Sequence, residues 1–110
     1  MQLQKEVLID ISDNATNSSA VQCDGLLLSG IVFPAAMTGT TITFDFSFDG
    51  TNFVDVVETD GTEVSYTVTA GDVVRVDPSG WAFASTGFLR VVSSNSEAAD
   101  RTINLIFKQS

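Results

Sequence analysis

A chain of 110 residues with fourteen acidic side chains, five basic ones and no histidine carries a formal charge of −9. That length makes one domain, and that charge repels a nucleic-acid backbone. The missing imidazole removes the usual general base, the usual catalytic triad and the commonest metal ligand together.

Hydrophobic residues make up 44% of the chain and include eight Phe, enough to offset the entropy of ordering a backbone around an apolar core. The single cysteine, Cys23, has no internal partner for a disulfide and reads as a small buried side chain. The opening segment MQLQKEVLIDI lacks a basic region followed by a continuous apolar run, so no secretory signal is expected there and synthesis in a cytoplasm is. The glycosylation patterns at Asn14 and Asn17 are then coincidences of a polar loop.

In chain order, Val7, Ile9 and Ile11 alternate as in a half-buried strand, and the polar stretch SDNATNSSA follows. From Gly25 to Phe44 there are 20 residues without a charge. Ser29, Gly30, Pro34, Gly39 and four Thr spoil a membrane-spanning helix, so this run reads as a strand, an apolar loop and a second strand. LLLSGIVF is apolar on both parities, the mark of a central strand or of one whose outer face meets something else.

The sharpest alternation is Ile42, Phe44, Phe46 and Phe48, expected to form one inner layer with Thr43, Asp45 and Ser47 pointing outward. Asp49-Gly50 then turns the chain into NFVDVV as a hairpin. Further strands are expected at Val64, Tyr66 and Val68, at Val74 and Val76, at FLRVV, and at Ile103, Leu105 and Phe107. Turn signals separate them all. The pattern predicts a single all-β domain over residues 1–110, an antiparallel β-sandwich of about eight strands, jelly-roll-like.

Asp45, Asp49, Asp55 and Asp60 crowd one hairpin and raise the idea of an oxygen-ligated cation or a paired-carboxylate hydrolase. Their spacing does not match a calcium loop, and acidic turn residues ordinarily bind local backbone N–H groups. No metal, cofactor or catalytic residue is therefore expected, nor an enzyme. Trp81 in DPSGWAFASTGF reads either as a stacking platform for a sugar or as a core plug whose N–H meets a backbone carbonyl. The plug is preferred. Two loops without charge, FPAAM and GWAFA, supply the interface candidates Phe33, Pro34, Met37, Trp81 and Phe83, against the alternative that both loops fold over their own sheet edges.

Taken in order, GIVFPAAMTGTTITFDFSFDGTNF, DPSGWAFASTGFLRV and AADRTINLIFK resemble small virion accessory proteins of tailed bacteriophages, over about residues 25 to 108. The resemblance implies a capsid decoration, or cement, protein on the capsid exterior. It implies as partners the major capsid protein or another virion protein and further copies of the chain, with neither nucleic acid nor membrane. A glycan-binding module of a tail or fibre is the alternative, since sandwich folds serve both roles.

Overall fold

The computed structural model describes residues 4–109 as two antiparallel sheets packed face to face. One contains β1 (Gln4–Ile11), β9 (Arg101–Lys108), β3 (Leu27–Val32) and β7 (Val73–Arg75), in the order β1-β9-β3-β7. The other runs β2 (Val21–Gln22), β8 (Phe88–Ser93), β4 (Thr41–Ser47), β5 (Val54–Asp55), with β6 (Ser65–Thr67) also paired to β4. A 3₁₀ helix, Pro78–Ala84, links β7 to β8.

The chain crosses from sheet to sheet at β1 to β2, β2 to β3 and β3 to β4, and again between β6, β7, β8 and β9. This is the strand order of a jelly roll. Its fifth strand is broken in two: β5 pairs with Asp45 and Phe46, and β6 with Thr41 to Thr43, on the same edge of β4. Between them the chain leaves the sheet as a small hairpin, closed by the Val57 to Glu63 bridge and turned at Gly61, where φ is +88°.

Period-two patterning builds the core. Ile9 and Ile11, Ile103, Leu105 and Phe107, Leu28 and Ile31 face Ile42, Phe44, Leu89 and Val91 across the sandwich, each at most 1% exposed. Each such side chain contributes about 1.5 to 3 kcal/mol relative to exposure. LLLSGIVF and FLRVV, apolar on both parities, become β3 and β8, and both are interior strands. β3 also slips register between Leu28 and Gly30, where Ser29 turns its hydroxyl onto the Ile106 carbonyl at 3.2 Å.

One expectation needs correction. Phe48 is 83% exposed, so the inner layer of β4 ends at Phe46. The cause is Ser47, whose Oγ accepts from the Asp49 and Gly50 N–H groups and starts the turn one residue before the alternation ends. Asp45 and Ser47 stand outside the inner layer as expected, yet both are covered, at 7% and 1% exposed. Asp45 does lie on the outer face, but Arg90 from β8 binds it with Nε and the terminal nitrogen, both at 3.0 Å, and the Arg90 guanidinium stacks 4.2 Å over Phe53. Burial, joined by Asp55 directly across the ladder, raises the Asp45 pKa despite Arg90.

Cys23 is buried, and burial followed by the nearby Asp24 charge pushes its thiol up to about 11. Among the described residues no helix is long and apolar enough to cross a membrane.

Candidate functional site

β4 starts and ends at two contrasting clusters. At its N-terminal end, Glu97 is fully buried with both carboxylate oxygens occupied. Oε1 accepts from the Thr38 N–H at 2.8 Å and from Arg101 Nε at 2.9 Å. Oε2 accepts from the Gly39 N–H at 2.9 Å and from Ser93 Oγ at 2.7 Å. The backbone of Glu97 also exchanges hydrogen bonds with Asn14 and Ala15.

Glu97 thus ties four segments: its carboxylate holds the loop before β4, the end of β8 and the start of β9, and its backbone holds the loop after β1. A Cβ on Gly39 would lie 2.0 Å from Ser93 Oγ, so the close approach needs glycine there. Burial alone would raise the Glu97 pKa, but the donors from Thr38, Ser93, Gly39 and Arg101 overcome it and hold the carboxyl down at about 2.

At the other end, aromatic rings run from the core to the surface. Tyr66 and Trp81 both pack edge-on against Phe44, with centroids at 6.0 Å and 4.8 Å. Trp81 stacks on Phe83 at 5.8 Å, Phe83 meets Phe46 at 5.4 Å, and Phe46 meets Phe48 at 4.8 Å. Phe83 is 50% exposed and Phe48 more so. Val54, the cross-strand partner of Phe46, is 64% exposed beside them.

The 3₁₀ helix positions Trp81 and Phe83. Asp77 caps it by accepting from the Ser79 N–H at 3.1 Å, and Pro78 presets its first turn. Gly87 makes room for Phe46, since a Cβ there would come within 2.4 Å of the ring. A groove of about 440 Å³ opens beside this edge, walled by Val56, Val57, Val64, Tyr66, Trp81 and Phe83, with Glu58 and Asp77 among its lining. Burial raises the Tyr66 pKa.

The predicted interface residues separate. Phe33 and Trp81 are 2% and 5% exposed and face the chain's own core. The FPAAM loop folds back on the 69–72 turn through the Phe33 N–H to Asp72 and the Gly71 N–H to Pro34, while Met37 leans partly buried on the core. Trp81 is the plug, although its Nε1 donates to the Tyr66 hydroxyl at 3.3 Å and not to a backbone carbonyl. Phe83 alone of the five stands well out at the surface; Pro34 is half-buried.

The four aspartates do not converge on a cation. Asp49 accepts from the Asn52 and Thr51 N–H groups and from the Ser47 hydroxyl and Asn52 amide, which hold its carboxyl far below the ordinary range. Asp60 serves the Thr62 N–H in a separate turn. Among the described residues no group of three or more potential ligands could hold a metal ion. Sequence reasoning missed Phe48 and Val54 as surface residues, and missed Glu97 altogether.

No protein-family model matches the chain, and no curated protein matches its sequence. Among solved structures the fold is similar to that of the SPBc2 prophage-derived protein YomS, with a TM-score of 0.55 and 12% identity over 97% of this chain and 96% of that one. A chain of the cyanophage Pam1 capsid asymmetric unit aligns at a TM-score of 0.41 and 16% identity, over 97% of this chain and 82% of that one. The Drosophila melanogaster CENP-C cupin domain aligns at 0.41 and 10%, over 93% and 55%. The first likeness is one of fold, and the other two are too distant to argue from.

Proposed function

We propose that this chain is a structural protein of a tailed-phage virion, a decoration protein that docks on the outer capsid surface and stabilises the shell without catalysing a reaction. The observation that carries the reading is the aromatic series that leaves the core and ends in Phe48 and Phe83 at the surface of an acidic domain. Exposed rings seated on buried ones are already ordered, so docking them costs little side-chain entropy and gains their apolar area. The resemblance of the ordered motifs to virion accessory proteins supports the same role, and so does the prophage origin of the protein whose fold matches end to end.

The partner is then a shell surface offering apolar contacts to Phe48, Val54 and Phe83. Repetition over a symmetric lattice lets modest single contacts sum to a large stabilisation. A glycan-binding fibre module is the second reading, favoured by one feature: the Phe83 ring stands beside a groove containing the hydrogen-bond acceptors Glu58 and Asp77.

Particles carrying and lacking the protein, compared under heat and osmotic shock, test the proposal. Wild type should protect the shell, and Phe48→Ser with Phe83→Ser should bind poorly and fail to protect it. Unchanged particle stability together with selective binding on a glycan array would replace the proposal with the fibre reading.

A further inference from the structure

The outer face of the β1-β9-β3-β7 sheet carries a surface that the docking edge does not use. Residues directly opposite in an antiparallel ladder share a face. Leu8, Asn104, Val32 and Val73 therefore form one row across all four strands, and Glu6, Ile106, Gly30 and Arg75 form the next. Leu8 and Val73, at the two ends of the first row, are 61% and 58% exposed, with Val32 and Ile106 half-buried between the edges. The other sheet differs: its outer face carries Thr43, Asp45 and Arg90, with Phe53 over the guanidinium.

From this arrangement we infer that the occupant of the face is a second copy of this chain, packed sheet against sheet about a two-fold axis roughly parallel to the strands. Such an axis reverses strand order while keeping each row opposite itself. It lays Leu8 on the partner's Val73 and Val73 on the partner's Leu8, and it brings Glu6 to the partner's Arg75 twice over. Among the described residues neither Glu6 nor Arg75 belongs to an ion pair within its own chain. A two-fold axis perpendicular to the strands would set the Leu8 row on the Glu6 row and press charge onto apolar surface. The charges thus select one of the two possible axes.

Gln4, Lys108, Asp10 and Thr102 border the apolar rows and give the face a polar rim. Four strands about 4.8 Å apart and four rows deep cover on the order of 450 Å² per copy. The total lies near the lower bound for a specific interface, roughly 1,000 Å². A reversible dimer is expected, one that forms at about 10 to 100 μM protein.

Sedimentation velocity across that range on the isolated protein tests the pairing independently of any shell. Wild type should sediment as a concentration-dependent dimer. Glu6→Arg and Arg75→Glu, each on an exposed side chain and checked for unchanged circular dichroism, should each weaken it about tenfold or more. The double swap restores the opposite charges and should recover most of the affinity, whereas Val73→Asp should leave only monomer. Wild-type monomer throughout, a different oligomer, single swaps without effect, or a double swap no better than the singles would overturn the inference. None of these outcomes bears on whether Phe48 and Phe83 bind a shell.

Discussion

The two ends of β4 are held by opposite means. At Thr41 the strand emerges from a knot in which a buried carboxylate takes four hydrogen bonds from groups scattered between positions 38 and 101. At Ser47 it leaves beside an aromatic series that has no strong directional bond and continues onto the surface. A polar knot tolerates no missing partner, because each unpaired group would keep its full desolvation cost. An aromatic cluster degrades gradually and leaves part of itself available to others. The first end suits anchoring and the second suits docking.

Removing the knot's centre should have the largest effect. Glu97→Ala leaves the Arg101 guanidinium, the Thr38 and Gly39 N–H groups and the Ser93 hydroxyl without their common acceptor, and should cost about 3 to 5 kcal/mol in urea unfolding. On the aromatic side, Phe46→Ala should also cost about 3 to 5 kcal/mol, toward the lower end if Phe48 and Phe83 relax into the space. A Glu97→Ala protein as stable as wild type would show that the knot is dispensable.

Acid should also weaken the polar knot. The folded Glu97 carboxyl titrates near 2, below its ordinary value of 4.5, so its stabilisation is complete above about 4.5 and is lost as the pH falls toward 2. The loss amounts to about 3 kcal/mol. Asp49 adds in the same direction, whereas Asp45, with its pKa raised, is relieved by acid. Stability measured from pH 6 to pH 2 should fall less in Glu97→Gln than in wild type; parallel curves would contradict the assignment.

The same contrast explains what the sequence could reveal. Period-two alternation follows from strand geometry, so the sandwich and most of its core residues were readable, down to the Asp49-Gly50 hairpin. Phe48 misled because a side-chain hydroxyl, Ser47 Oγ, ended the strand before the apolar pattern ended. Glu97 stood in SNSEAAD, which reads as an ordinary polar loop, and its partners come together only through the fold. The register slip of β3 at Ser29 and the pairing that places Glu6 and Arg75 in one row were equally unreadable, since both depend on strand order.

A smaller effect is expected at Gly87. Adding a methyl group there forces it against Phe46 at 2.4 Å and the Ser47 carbonyl at 2.7 Å, so Gly87→Ala should cost about 1 to 3 kcal/mol through overpacking. Gly61→Ala makes a useful comparison, because nothing lies within 4 Å of its added Cβ and only the backbone strain at positive φ is felt. The Gly87 variant should also lose activity in any shell-binding assay, since shifting Phe46 moves the rings resting on it.

Phe48→Ser should change stability least, and for that reason it sharpens the comparison most. The side chain is 83% exposed and touches the fold mainly through one edge-on contact with Phe46, so its loss should alter unfolding free energy by about 0.5 kcal/mol or less. If the ring serves the fold, deleting it lowers stability and any effect on binding follows from that loss. If it serves a partner, the melting curve stays where it was while shell binding drops by tenfold or more, as expected for an aromatic anchor. Measuring both on one preparation distinguishes the two roles: a destabilised protein that still binds would return Phe48 to the core, and a stable one that no longer binds would assign it to the interface.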